Sequence, residues 1–267
     1  MKYLFWNTYK NKNINSILCD LIVENEISVV VLAEYSANVD ELLDLLRIEG
    51  FSMREIPSMC ERIRIIGASG ISIEPHLQTD KASIQIINNN IILCGVHLNS
   101  QIYSANEDAR EIYIERIICD ILSEEKELCT KKTIIVGDLN INPYDEGCLS
   151  ARYFHGIPIF EETTRESRTI SGKEFYMFYN PMWNFLGDFK EPYGTYYHNS
   201  SNAINSYWNV YDQVIIRPIL RKQFIDDSLK ILTKTTKNSL LDKKKHPNCE
   251  ISDHLPITFE IKEDQNE

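Results

Sequence analysis

The side chains best able to do chemistry in this sequence stand at the ends of apolar runs. Asn7 follows Tyr3-Leu4-Phe5-Trp6, Glu34 follows Val29–Ala33, His97-Leu98-Asn99 follows Ile91–Val96, and Asp138-Leu139-Asn140 follows Thr133–Gly137. Ser252-Asp253-His254 immediately precedes Leu255–Phe259, and Asp212 lies inside Val210–Ile216. Glu34, Asp138 and Asp253 offer hard oxygen donors suited to Mg²⁺ or Mn²⁺, which favour one or two carboxylates together with water and substrate phosphate. Asn7 and Asn140 can hold a phosphate oxygen or a nucleophilic water without adding negative charge. His97 and His254 can donate to charge developing on a phosphoryl group or shuttle a proton, and Asp212 can orient one imidazole. Together these types describe metal-assisted phosphoester hydrolysis. Each has a plainer explanation when taken alone: Asp-Leu-Asn after glycine is a common strand-to-turn sequence, and a single histidine is usually a hydrogen-bonded core or surface residue. Their conjunction at strand ends carries the reading.

The elements that must position them follow from periodicity. Lys2–Trp6, Ile27–Leu32, Arg62–Ile66, Gly70–Ile73, Ala82–Ile87, Ile91–Val96, Thr133–Val136, Val210–Ile216 and Ile257–Ile261 read as strands. Asn15–Glu26 and Val39–Ile48 have helical spacing. Glu107–Leu128 is the longest amphipathic segment, with Ile112, Ile117, Ile118, Ile121 and Leu122 as its apolar face. Asn88-Asn89-Asn90 reads as a turn. Helices interleaved with strands in this ratio suit two sheets packed together and flanked by helices. No linker or repeat divides the chain, so one domain over residues 1–262 is expected, with a frayed polar tail at 263–267.

The ordered set Trp6-Asn7, Leu32-Ala33-Glu34, His97-Leu98-Asn99, Gly137-Asp138-Leu139-Asn140, Tyr211-Asp212 and Ser252-Asp253-His254 resembles the endonuclease/exonuclease/phosphatase (deoxyribonuclease-I-like) superfamily. The resemblance runs from residue 6 to about residue 259. It implies an α/β fold, a four-layer α/β/β/α sandwich of two mixed β-sheets flanked by helices, and a Mg²⁺- or Mn²⁺-dependent phosphoester hydrolase. Carried over by position, it implies Glu34 as principal metal ligand, helped by Asn7 and Asp253. Asp138 would orient or deprotonate the attacking water, and Asn140 would hold that water or a phosphate oxygen. His254, its tautomer fixed by Asp212, would stabilise the phosphorane or assist the leaving group, and His97 would donate to the phosphate. Two departures stand out. Tyr9 occupies a place where some members carry an acidic residue, and the partner that orients His97 is open between Glu61 and Glu74.

Composition bounds the partners. The chain has 28 Lys and Arg against 39 Asp and Glu, a net charge of -11, which argues against a tight, passive nucleic-acid coat. It leaves room for transient engagement of DNA or RNA as substrate, and for a small phosphorylated molecule as the alternative; a non-catalytic binding module is disfavoured by the complete set of side chains. Basic residues cluster at Arg62 and Arg64, Arg165 and Arg168, Arg217 to Lys222, and Lys243–Lys245. The aromatic stretch Phe175–Trp208 is mostly expected to pack under a loop, with Tyr179, Trp183 and Tyr196, beside Asn99 and Arg116, as candidate substrate contacts. Apolar runs fall short of the roughly 20 residues that span a bilayer. With no signal-peptide pattern and seven scattered cysteines, a reducing, cytoplasmic setting and no membrane partner are expected. The Ile, Asn and Lys bias suits an AT-rich bacterial or phage genome.

Overall fold

Parallel strand pairs joined by crossover helices set the architecture of this computed structural model, which describes residues 1–100, 107–201, 203 and 205–263; residues 264–267 of the expected polar tail lie outside them. In chain order the strands are β1 (Lys2–Asn7), β2 (Val29–Ala33), β3 (Met53–Ile56), β4 (Ile63–Ala68), β5 (Ile73–Gln78), β6 (Ala82–Ile87), β7 (Ile91–His97), β8 (Thr133–Asp138) and β9 (Gly156–Ile157). They continue with β10 (Ser167–Ile170), β11 (Lys173–Tyr176), β12 (Phe178–Tyr179), β13 (Tyr196–Tyr197), β14 (Trp208–Asn209), β15 (Asp212–Ile216), β16 (Lys230–Ile231) and β17 (Ile257–Glu260). The main helices are α1 (Asn15–Glu24), α2 (Val39–Ile48) and α3 (Glu107–Glu127). One mixed sheet has the order β16-β17-β1-β2-β4-β3 and the other β5-β6-β7-β8-β15-β12-β9, with β10-β11 and β13-β14 as small hairpins.

Alternation along the strands explains the layering. On β8, Ile134 and Val136 join the cluster between the sheets, whereas Ile135 faces the cluster under α3. On β7, Leu93 points inward and Ile92, Cys94 and Val96 point toward Ile114, Ile117 and Ile121 of α3. Leu18, Leu21 and Ile22 of α1, with Leu42 and Leu46 of α2, cover the first sheet. Helices, sheet, sheet and helix make the four-layer sandwich. β1 and β2 are buried on both faces and therefore read as continuous apolar runs.

The structure corrects two details of the periodic reading. Ile112 is 65% exposed, because the apolar stripe of α3 runs through Ile114, Ile117 and Ile121, and residue 112 lies on the far side of the helix from 114. The segment 70–72 is a turn, and the strand expected there begins at Ile73. Asn88 and Asn89 take positive φ (48° and 55°) between β6 and β7, the left-handed pair of a tight hairpin that asparagine tolerates. All seven cysteines are free thiols, and no described helix is long and apolar enough to cross a membrane.

Candidate active site

Strand polarity brings the polar motifs together. β1 runs parallel to β2, with Asn7 opposite Ala33, and β7 runs parallel to β8, with His97 opposite Asp138. All four strands end at one rim. β15 runs antiparallel to β8, so its first residue, Asp212, also pairs with Asp138. β17 runs antiparallel to β1, with Phe5 opposite Ile257, which carries the preceding Ser252-Asp253-His254 segment to the same rim. Rigid strand ends thus fix side chains drawn from residues 7 to 254.

Asp138 Oδ2 is the hub. It accepts a hydrogen bond from Asn7 Nδ2 at 3.0 Å and lies 3.7 Å from His97 Nε2 and 3.8 Å from His254 Nε2. Its other oxygen accepts from the Asn140 N–H at 2.9 Å. Glu34 Oε1 lies 3.6 Å from His97 Nε2, on the side away from His254. His254 Nδ1 meets Asp212 Oδ2 at 2.8 Å, and its Nε2 is 4.0 Å from Asp253 Oδ1. The backbone is tied as tightly: Trp6 Nε1 donates to the His254 carbonyl at 2.9 Å, and Ser252 Oγ donates to the Asn7 carbonyl at 2.7 Å. Glu34 and Asn140 both sit in the left-handed region (φ 51° and 50°), a cost of order 1 kcal/mol or more for residues of their kind.

Electrostatics divide the two histidines. For His254, burial works against the charge, yet Asp212, Asp138 and Asp253 prevail and raise its pKa to about 10. For His97, burial, Arg62, His254 and Lys81 outweigh Asp138 and lower its pKa to about 4. One imidazole is therefore held cationic and the other neutral at the same hub. Asp138 is raised by burial and by Asp212, against the pull of His254, His97 and the Asn7 hydrogen bond. Asp253 is raised by burial, Asp212 and Glu34, against His254.

The donor set fits a hard cation. Among the described residues Asp212 Oδ1 and Asp253 Oδ1 are buried with no hydrogen-bond partner, and Lys10 Nζ lies 3.9 Å from the Glu34 carboxylate. Asp138, Asp212 and His254 form the tightest group, with ligand atoms all within 4.8 Å of one another. A protonated His254 hydrogen-bonded to Asp212 has no lone pair to give, so that group is internally compensated. The oxygens of Glu34, Asp253 and Asn7 could hold a divalent ion instead.

Most of the expected site residues gather here: Asn7, Glu34, His97, Asp138, Asn140, Asp212, Asp253 and His254. Tyr196 joins them, its ring 4.7 Å from that of His254 and 5.3 Å from that of Tyr211. Asn99 follows at the same strand end, half-buried, beside the Leu98 carbonyl that accepts from Asn140 Nδ2 at 3.0 Å. Three other expected contacts have no hydrogen bond, ion pair or ring contact with the hub residues. Tyr179 is 7% exposed and pairs with Ile216, the opposite end of β15 from Asp212 and roughly 13 Å along the strand. Trp183 belongs to the 3-10 turn Pro181–Phe185 that follows Tyr179, anchored in the core by Met182 and Phe185. Arg116 is exposed and pairs with Asp120 at 4.0 Å; Arg110, about 9 Å back along α3, is the arginine that reaches the site loop, through the Asn140 carbonyl at 2.7 Å. His97 Nδ1 is buried without a partner among the described residues, and Glu61 and Glu74 are both exposed. Thr195, whose hydroxyl accepts from the Asp212 N–H at 3.2 Å, was not legible in the sequence, where Gly194–Tyr197 reads only as a turn.

The same fold recurs in solved structures. A 3′-5′ exonuclease from Neisseria meningitidis superposes with TM-score 0.60 at 15% identity, over 98% of this chain and 100% of that one. An endonuclease/exonuclease/phosphatase family protein from Bacteroides thetaiotaomicron gives 0.59 at 10% identity, over 98% and 97%. The chain has the endonuclease/exonuclease/phosphatase fold. An AP endonuclease from Archaeoglobus fulgidus shares this fold with TM-score 0.57 at 13% identity, over 98% of this chain and 99% of that one. No family model matches the sequence, and no curated protein matches it. At such identities the endonuclease/exonuclease/phosphatase fold is what these proteins have in common with the chain.

Proposed function

We propose that this protein is a divalent-metal-dependent phosphodiesterase that hydrolyses phosphodiester bonds of nucleic acid, with residues 1–262 as one catalytic domain. The observation that carries the reading is the Asp138 hub, where one carboxylate oxygen faces Asn7, neutral His97 and cationic His254 at a shared rim of two sheets. The nuclease names of the exonuclease and AP endonuclease with this fold support nucleic acid as the substrate. The net charge of -11 suits transient, catalytic engagement.

Glu34, Asp253 and Asn7 would hold the ion, Mg²⁺ or Mn²⁺, which when bound polarises a phosphoryl oxygen and offsets the carboxylate charge. Asp138, held in place by Asn7 and by the Asn140 N–H, accepts the proton of the attacking water. Burial and the neighbouring Asp212 make it a stronger base than an ordinary carboxylate. Asn140, whose amide nitrogen is committed to the Leu98 carbonyl, has its side-chain oxygen left to orient that water. His254, kept protonated by Asp212, donates from Nε2 to the charge that grows on the phosphoryl group and its leaving oxygen. His97 stays neutral and hydrogen-bonds the phosphate without competing for a cation. Tyr196 packs over His254 and excludes water from it. The test is a substrate panel of supercoiled plasmid, single-stranded DNA, RNA, abasic duplex and small phosphomonoesters, each with Mg²⁺, Mn²⁺ or EDTA. Cleavage of a polynucleotide with metal and none with EDTA is expected. Hydrolysis of the phosphomonoesters alone would replace the nuclease reading, and no hydrolysis at all would end it.

A further inference from the structure

Two cations at the rim have no part in the chemistry above. β2 and β4 pair antiparallel up to Ala33 opposite Ile63, so Glu34 and Arg62 are the residues that follow and precede that last pair at the same end of the two strands. β6 and β7 pair with Ala82 opposite Val96, so Lys81 stands across from His97, and its carbonyl accepts the His97 N–H at 2.9 Å. Glu34 and His97 themselves approach to 3.6 Å across the gap between the sheets. The strand ends therefore present Arg62, Glu34, His97 and Lys81 in one row, on the side of the hub away from His254.

The plain explanation is that each cation serves a structural ion pair. Arg64 does so with Glu55 at 2.7 Å, as does Arg217 with Glu125 at the same distance. Arg62 does not: it is half-buried, its backbone hydrogen-bonds the Cys60 thiol, and its guanidinium has no hydrogen bond or ion pair among the described residues. Lys81 is buried, with a long 3.6 Å pair to Asp80 and its ammonium 5.3 Å from the centre of the Tyr113 ring. Burial and Arg62 hold the Lys81 pKa below the ordinary lysine range, against Asp80. In a chain with a net charge of -11, two cations thus stand beside the rim, Arg62 with no ion pair among the described residues and Lys81 with only the long pair to Asp80. Holding like charges together out of water costs free energy that an anionic ligand would offset.

We propose that Arg62 and Lys81 form a second phosphate subsite, which takes the phosphate next to the scissile one on the His97 side of a polynucleotide. This rests on the nuclease reading and adds to it a direction along the strand: the backbone crosses the rim from the Tyr196–His254 side to the Arg62–Lys81 side. A guanidinium with its fork free and an ammonium over an aromatic ring suit a phosphodiester oxygen pair.

The experiment compares wild type, Arg62→Ala, Lys81→Met, the double variant and Arg62→Lys on a labelled oligothymidylate and on bis(p-nitrophenyl) phosphate, which has a single phosphate. KM for the oligothymidylate is expected to rise about tenfold for each cation removed, with kcat within about twofold and the single-phosphate ester unaffected. Arg62→Lys should recover part of the loss. In EDTA, fluorescence anisotropy of the labelled oligothymidylate should show the slope of log affinity against log salt falling by about 0.7 for each cation removed. An unchanged salt slope in the double variant would overturn the subsite, as would equal losses on both substrates. If the wild type cleaves neither substrate, the hydrolase reading fails by itself while the binding slope still decides the subsite.

Discussion

Asp212→Asn isolates the charge that makes His254 a cation while keeping a side chain of the same shape. The two groups meet at 2.8 Å in a buried setting, so their mutual attraction at an effective dielectric near 20 is roughly 6 kcal/mol. Asp212 also repels Asp138; with ligand atoms within 4.8 Å, that opposing contribution is roughly 3.5 kcal/mol on the same scale. Folding therefore loses only about 2 kcal/mol, a drop of roughly 4–8 °C in melting temperature for a chain of this size. Catalysis is expected to lose far more, because the variant His254 keeps only Asp138 and Asp253 to hold its proton and is less often cationic when the leaving oxygen needs one. A fall in kcat of about 10²–10⁴ is expected, equivalent to roughly 3–5.5 kcal/mol of lost transition-state stabilisation. The assay is steady-state cleavage of the best panel substrate with Mg²⁺, beside a thermal melt in EDTA. A kcat within about threefold of wild type would refute the role given to the Asp212–His254 pair. A melting temperature lower by far more than about 8 °C would show that the repulsion from Asp138 was misjudged.

Further predictions follow from the same geometry. In EDTA, NMR titration should place His254 near its raised pKa of about 10 and His97 near its lowered value of about 4. Because His254 is raised, its contribution to stability is complete below the unfolded value of about 6.5 and disappears as pH climbs through 10; His97, being lowered, contributes above about 6.5 and loses this as pH falls toward 4, which denaturant melts across that range would record. Gly137→Ala would set a Cβ 1.9 Å from the Val96 carbonyl oxygen, forcing β7 and β8 apart at the pair that precedes His97 and Asp138; a loss of about 3 kcal/mol and roughly 6–12 °C is expected by thermal melt, together with loss of activity. Millimolar Mg²⁺ should raise the melting temperature of wild type but not of Glu34→Ala, since binding to the folded state alone stabilises it. Glu125→Ala should cost about 3–5 kcal/mol by leaving Arg217 buried and unpaired, with little effect on kcat, because that bidentate pair lies at the far end of β15 from the site.

The site was largely legible in the sequence because parallel strands do the gathering. Asn7, Glu34, His97 and Asp138 each close an apolar run, and a strand's C-terminal end is where a β-α-β unit leaves a side chain fixed and open. Asp253 and His254 were legible for the converse reason, as the residues that enter a strand running the other way. The aromatic stretch was legible only in part. Tyr196 and Tyr179 have similar surroundings in sequence, but β13 sits against His254 and β12 pairs with the end of β15 that lies away from Asp212. Two-residue strands carry too little periodicity to reveal which edge they join. Arg110 and Arg116 differ by less than two helical turns, and which one meets the Asn140 loop depends on where α3 docks. The strand positions of Arg62 and Lys81 follow from register alone, which composition does not encode.

The Trp6 indole and the His254 carbonyl that it binds are 248 residues apart in the chain. β1 is wedged between β2 and β17, so the first strand laid down during synthesis waits for the last before its sheet is complete. Closing so long a loop is entropically slow, and it places this contact among the last to form. Until β17 docks, Asp138 and Asp212 are side by side without the cation that compensates them. Assembly of the rim is thus coupled to the docking of β17: the side chains of Asn7, Asp138, Asp212 and His254 come together in one step, when strands far apart in the sequence pair.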